Sequence, residues 1–555
     1  MNLLKGVQLL FVVFTLGFIF FFKESKNSKE VLTQEDNRPN IILIMSDDMG
    51  YSDIGAFGGE IDTPNLDYLA DNGVRFSQFY NAARCCPTRA SLMTGLYPHQ
   101  TGIGHMTNVP GDPNSHDLDI PSYRGFLNRN NVTLAELFKL NGYATYMSGK
   151  WHLGMDNEDQ WPLQRGFDKF YGILAGASNY FRPEGKRGIT LNNKQIEVKE
   201  EDYYTTDAFT DHAIKFIDES ESQEEKNPFF LYLAYTAPHW PLQAPMAKID
   251  KYKDRYKDGW RVIRERRYKK MKKLGLVEEK WSLSSEDAVP WSSLNNSQKE
   301  DLSLRRAIYA AQVDQMDENI GKLLSYLKEK KILENTIIVF SNDNGACAEG
   351  GMFGGGKSND LLTEKGYFLS YGQAWANSSN TPFKKYKHWV HEGGISTPMI
   401  VHWPNNIDSK LNGKIIDQYG FLPDVMATFV DISQLEYPKE FQGNIIPPME
   451  GKSFLPLLLG QNETIHSEPI FWEHEGNKAV RLGDYKLVME WKSKEHNNWE
   501  LYNIKEDRTE IYDLSEKEPG QVAHMVEMWN AWAKQKNVLP WDEALKIMNA
   551  RKAKH

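Results

Sequence analysis

The sequence predicts an α/β fold: a large, mostly parallel or mixed central sheet flanked by helices, then a smaller antiparallel sheet plus a helix. Three observations predict it. Several short apolar runs end abruptly in polar residues. Segments with helical spacing lie between them. After about residue 440 the runs shorten and are divided by Gly-Asn and Gly-Asp turns.

Asn40 to Met45 (NIILIM) reads as a buried strand that delivers Ser46-Asp47-Asp48 at its C-terminal end. Tyr143 to Ser148 runs likewise into Gly149-Lys150-Trp151-His152, and Phe229 to Tyr235 into Ala237-Pro238-His239. Thr336 to Phe340 runs into Ser341-Asn342-Asp343-Asn344. Tyr309, Val313, Met316, Ile320, Leu323 and Leu327 share one helical face just before that last strand. In open α/β sheets ligands bind beyond the carboxyl ends of the strands, where all these polar residues fall. Pro469–Trp472, Ala479–Leu482, Tyr485–Trp491 and Trp499–Tyr502 are the strands expected of the smaller sheet, with a helix from about Gln521 to Lys534.

At the N-terminus, Lys5 precedes a run from Val7 to Phe22 broken only by Gln8, Thr15 and Gly17. Residues 1–26 therefore read as a signal peptide or an N-terminal membrane anchor, and the chain as exported, periplasmic or secreted. Residues 27–38 form a polar linker, 39–440 the main domain and 441–555 a C-terminal subdomain. The 196–226 stretch, with its two acidic segments, is expected to be a solvated surface. Arg261 to Lys273, eight basic residues in thirteen, reads as an exposed helix, with an anion-steering surface as the alternative.

Of the 555 residues 40% are hydrophobic and 25% charged, the balance of a globular protein. The net charge of −10 excludes nucleic acid as a partner for the protein as a whole. An acidic protein that acts on an anion needs local cations or a metal. Asp47-Asp48 and Asp343-Asn344, each closing an apolar strand, form a set of hard oxygen donors suited to Ca²⁺ or Mg²⁺ rather than zinc. The three cysteines, Cys85, Cys86 and Cys347, are too few for a disulfide scaffold and leave at least one thiol free.

Cys85-Cys86-Pro87-Thr88-Arg89, followed by Thr94-Gly95, resembles the C-x-P-[ST]-R signature of type I sulfatases, in which the cysteine is oxidised to Cα-formylglycine. Counting back from Pro87 and Arg89 makes Cys85 the modified residue. Gly149-Lys150-Trp151-His152-Leu153-Gly154 is similar to the family's GKWHLG block, and Ala237-Pro238-His239-Trp240-Pro241 to its APHxP block. Lys387, five residues before Glu392-Gly393-Gly394, matches the lysine upstream of EGG. Phe57-Gly58-Gly59-Glu60-Ile61, Tyr97-Pro98-His99-Gln100 and Asn380-Thr381-Pro382-Phe383 bring the chain nearest the bacterial arylsulfatase-like members. The resemblance runs from about Asn40 to Trp499-Glu500-Leu501-Tyr502. It departs at Ser396, where many members carry arginine after EGG-[IV], which puts one peripheral contact in doubt.

The resemblance implies an alkaline-phosphatase-like sulfatase fold and hydrolysis of a sulfate ester. It implies one Ca²⁺ held by Asp47, Asp48, Asp343, Asn344 and the formylglycine at Cys85, and a formylglycine-generating enzyme as maturation partner. In the implied mechanism a gem-diol at residue 85, held by the ion and Arg89, attacks sulfur while Lys150 and Lys387 stabilise the sulfuryl group. His239 protonates the leaving alcohol with help from Lys387, and His152 is the base that releases sulfate. A sulfated carbohydrate is the expected substrate. The rivals are a phosphonate monoester or phosphodiester hydrolase on the same site and a non-catalytic module that binds sulfated glycan. A thiol nucleophile and a Cys85–Cys86 disulfide are the competing uses of the cysteine pair.

Two other motifs do not hold. His388-Trp389-Val390-His391-Glu392 has the wrong order for a zinc-protease helix. Gly351 to Ser358 (GMFGGGKS) has the Walker A spacing, but no strand directly precedes it, so it reads as a flexible glycine-rich loop beside the site.

Overall fold

The computed structural model describes residues 38–107, 117–222, 227–366, 368–491 and 498–552. The expected export segment and nearly all of the linker lie outside them. From residue 38 onward the described residues form one compact unit. Among the described residues no helix is long and apolar enough to cross a membrane.

Among the described residues the main sheet has eleven strands and is mixed. Its centre is a parallel block in the order Thr336–Asn342, Asn40–Ser46, Phe229–Ala234, Ala144–Lys150, Lys169–Ile173. Beside Thr336–Asn342 lies Ser396–His402, antiparallel to it and to its other neighbour Val74–Tyr80. Asn40–Ser46 is a continuous apolar run because both of its faces are covered. Ile42 and Ile44 point into one hydrophobic cluster, and Ile41, Leu43 and Met45 into the other.

The helix expected from its period-3.6 pattern is Asn296–Glu329, opened by an Asn295/Gln298 capping box, and all six predicted face residues are buried. The antiparallel sheet Ile470–His474, Asn477–Leu482, Tyr485–Met489, Trp499–Asn503 follows the predicted order. Helix Pro519–Gln535 packs on it through Met525, Trp529 and Trp532. A further helix, Trp541–Lys552, was not predicted; its Ala544 packs against Leu118 and Tyr123.

Two surface readings are corrected. Within 196–226, Thr205–Glu221 is a helix whose Phe209, Ala213, Phe216 and Ile217 are buried, so the acids decorate one face of a packed element. Trp260–Leu274 is a helix, as expected, but it is not simply exposed. Arg264 and Arg267 are buried, and Arg267 pairs with Asp53 at 2.7 Å and Glu60 at 2.6 Å. Of its outward cations, Arg261 pairs with Glu265 and Arg266 with Asp258.

The glycine-rich 351–358 loop is also not free-hanging. Arg305 donates to the carbonyls of Gly355 and Ser370 at 2.6 and 2.7 Å, and Gly355 N–H donates to Ser370 Oγ at 2.8 Å. Only a short 3₁₀ turn, Ser358–Asp360, follows it, so the strand–loop–helix context of a phosphate loop is absent here.

Candidate active site

Strand register assembles the site. Ser46 pairs with Asn342, and Met45 and Gly149 both pair with Ala234, so Asp47, Asp343, Lys150 and the turn before His239 leave the sheet side by side. At Gly149 an added Cβ would meet Ala234 O at 1.9 Å; only glycine lets the chain turn Lys150 inward there. Asp48 adopts φ +64°, a left-handed turn that brings its carboxylate to the same centre as that of Asp47.

Cys85 is the first residue of helix Cys85–Thr94, with Pro87 in the first turn, where a missing N–H costs nothing, and Gly95 as a left-handed cap. The helix N-terminus lies at the residue expected to be modified, which favours an anion there. All three cysteines are free and buried, so Cys85 and Cys86 do not form a disulfide. Donor atoms of Asp47, Asp48, Cys85 and His239 lie within 4.8 Å of one another.

Every member of the predicted set is buried and most are tied together directly. Lys150 Nζ donates to Asp47 Oδ2 at 2.7 Å. Lys387 Nζ donates to Asp48 at 2.8 and 2.9 Å, and His239 Nε2 lies 3.3 Å from Asp48 Oδ2. Arg89, one turn below Cys85, donates to Asp343 Oδ2 at 2.8 Å and to Tyr232 Oη at 3.3 Å. Asn344 Nδ2 donates to Asp48 Oδ1 at 2.7 Å. His152 stands at φ +57° with Nε2 3.1 Å from Thr107 O, so Nε2 carries the proton and the unpartnered Nδ1 keeps its lone pair.

Burial dominates the electrostatics. It pushes the Cys85 thiol up to about 12 against the pull of Lys150 and Lys387. Burial and the neighbouring Asp343 raise Asp47. Asp48 is lowered instead, because His239, Lys387 and Lys150 outweigh its desolvation. Asp343 is lowered in the same way by Arg89 and Lys150. Burial and two lysines bring His239 down to about 4, with Asp48 opposing, and burial and Lys150 hold His152 well below its usual range.

The residues fit a hard cation. Asp47 Oδ1 and Asn344 Oδ1 are buried acceptors without a hydrogen-bond partner, flanked by two more carboxylates. Buried oxygens are rarely left so unless something else satisfies them.

The sulfatase family profile matches residues 39–435. The chain belongs to the sulfatase family. A second profile, described as the N-sulphoglucosamine sulphohydrolase C-terminal region, matches residues 383–536 of this sulfatase. An uncharacterized sulfatase of Schizosaccharomyces pombe is 33% identical over 526 residues, covering 89% of this chain and 93% of that one. The arylsulfatase of Klebsiella aerogenes is 33% identical over 438 residues, covering 76% and 92%. Among solved structures, Ps i-CgsB in complex with k-i-k-neocarrahexaose superposes with a TM-score of 0.66 at 27% identity, covering 91% and 94%. This sulfatase is thus a sulfuric ester hydrolase on an alkaline-phosphatase-like fold.

The doubtful contact at Ser396 has a structural answer. Ser396 Oγ donates to Glu392 Oε2 at 2.8 Å, and the cations around that carboxylate come from strand Tyr485–Met489 and the stretch after strand Trp499–Asn503. Arg508 reaches Glu392 at 3.1 Å and Lys486 at 2.8 Å. Sequence reasoning missed several residues at the site. Tyr232 could have been found, because strand alternation places it on the same face as Phe230 and Ala234. Arg84 and Glu349, paired at 2.9 Å, and Trp240, bonded to Glu349 at 2.8 Å, had no local signal linking them.

Proposed function

We propose that this sulfatase removes sulfate from a sulfated carbohydrate, with Cys85 matured to formylglycine and one Ca²⁺ held by Asp47, Asp48, Asp343, Asn344 and residue 85. The observation that carries this is the pair of buried, unpartnered oxygens, Asp47 Oδ1 and Asn344 Oδ1, in a cluster where Asp47 and Asp48 lie within 4.8 Å of the Cys85 thiol at a helix N-terminus. The ion and the hydrated aldehyde, when present, supply charge neutralisation and an oxygen nucleophile.

The chain's own groups do the rest. Lys150 and Lys387 place two buried ammonium groups beside Asp47 and Asp48, where they offset the charge of an incoming sulfate. Arg89 is fixed by Asp343 and Tyr232 one turn below residue 85 and orients what is bound there. His239 donates Nδ1–H to Trp240 O at 2.7 Å, so Nε2 is the nitrogen turned toward the centre; burial keeps the resting ring neutral, so the proton that Nε2 passes to a leaving oxygen reaches it during turnover. His152, with Nε2–H donated to Thr107 O, offers Nδ1 as a base that stays neutral at ordinary pH.

The carbohydrate substrate is supported by the complex of Ps i-CgsB with k-i-k-neocarrahexaose. Export, motivated by residues 1–26, and maturation by a formylglycine-generating enzyme complete the reading. The test is desulfation of a panel of sulfated oligosaccharides by protein co-expressed with that enzyme, beside phosphate and phosphonate monoesters. Faster turnover of the phosphorus esters would overturn the sulfated-carbohydrate assignment in favour of the phosphonate monoester or phosphodiester hydrolase.

A further inference from the structure

Two neighbours of reacting residues converge on one carboxylate. Arg84 immediately precedes Cys85, and Trp240 immediately follows His239. Arg84 Nη2 donates to Glu349 Oε1 at 2.9 Å, and Trp240 Nε1 donates to Glu349 Oε2 at 2.8 Å. Against the effect of burial, Lys387 and Arg84 hold the Glu349 carboxyl down to about 2, so it is charged and accepts both bonds. Its main-chain carbonyl is anchored in turn by Ser370 Oγ at 2.7 Å. The indole therefore has one orientation.

That orientation places it between the buried reacting residues and partly exposed side chains. Cys85 and His239 are buried, whereas Trp240 is half-buried and the side chains of Arg84 and Glu349 remain 17% and 28% exposed. The Trp240 ring lies 4.6 Å from the His239 ring, centroid to centroid. Phe368, 38% exposed, stands edge-on to Trp240 at 4.7 Å and extends the same wall outward.

In an in-line displacement the leaving alcohol departs on the side of the acid that protonates it. With His239 as that acid, the wall next to the departing group is aromatic and pinned, with a charged pair at its edge. An aryl ring, or the C–H face of a pyranose, matches such a surface; a linear alkyl chain covers much less of it.

We propose that Trp240, oriented by Glu349, is the platform that selects ring-bearing leaving groups. Trp240 is the specificity-determining residue and Glu349 a positioning residue. The inference rests on the reading of His239 as the leaving-group acid.

The test separates the two ends of the substrate. In matured protein, KM is measured for nitrophenyl sulfate and a hexose sulfate, and the inhibition constant for inorganic sulfate, which fills only the sulfate end. Trp240→Ala should raise both KM values roughly ten-fold, the scale of losing one large aromatic contact, with sulfate inhibition within about two-fold of wild type. Trp240→Phe should fall between, and Glu349→Gln should move in the same direction. Direct titration of nitrophenyl sulfate into Cys85→Ser protein, with and without Trp240→Ala, reads the platform without turnover. Unchanged KM, or sulfate inhibition weakening in step with KM, overturns the platform. A wild type that turned over no sulfate ester would strike the proposed function, while the titration still decided the platform.

Discussion

His239 Nε2 lies 3.3 Å from Asp48 Oδ2, and the opposite nitrogen of its ring donates to the carbonyl of Trp240 at 2.7 Å. The imidazole is fixed by its main-chain neighbour and faces the acidic centre with the nitrogen that can carry a transferable proton. A nitrophenolate leaves with little protonation, whereas a sugar alkoxide needs it. His239→Ala should therefore cost ten-fold to a hundred-fold more on a sugar sulfate than on nitrophenyl sulfate, the usual scale of lost general-acid catalysis. Equal losses on the two substrates, measured as kcat/KM, would remove His239 from that role.

Maturation should mark Cys85 and spare Cys86. Cys86 Sγ accepts Thr107 N–H at 3.3 Å and packs near Met106, away from the Asp47–Asp48 cluster. Peptide mass spectrometry should place the mass loss of the aldehyde on residue 85, and Cys86→Ala should keep substantial activity. A loss located on residue 86 would contradict the assignment.

Chelation should lower activity and melting temperature together. An ion at a hundred times its dissociation constant stabilises the folded chain by roughly 2.7 kcal/mol, and that contribution disappears with it. Ca²⁺ or Mg²⁺ should restore both properties better than Zn²⁺, because the unpartnered donors are oxygens. Asp343→Ala should lose metal affinity as well as rate. Elemental analysis showing a stoichiometric transition metal would reject the calcium assignment.

Acid should weaken the fold through His402, far from the reacting groups. His402 closes strand Ser396–His402, is 1% exposed, and is brought down to about 4 by burial and by Lys328. Its folded value lies below the unfolded value of about 6.5, so the unfolded chain binds the proton more tightly. Stability is full above about 6.5 and falls as the pH drops toward about 4, by up to roughly 3 kcal/mol from this group. Thermal melts of His402→Gln across that range should show a shallower decline than wild type. Parallel curves would exclude His402 as the group responsible.

The order of strands and helices was legible because burial on both faces forces continuous apolar runs, as at Asn40–Met45, and a helix packed on the sheet keeps its apolar side chains at period 3.6, as at Tyr309–Leu327. Acids placed directly after such runs must emerge at one edge of the sheet, so Asp47, Asp48, Asp343 and Asn344 could be grouped from the sequence alone. The same holds for Cys85 and Arg89, four residues apart on one helix. Tertiary structure decided what depends on distant chain segments. It set Arg267 against Asp53 and Glu60, and brought Arg508 and Lys486 to Glu392 beside Ser396. It also drew Arg84 and Trp240 onto Glu349. A charged side chain carries no periodic signal, and its partner is fixed only when packing closes the space around both and the cost of burying one charge is offset by the other.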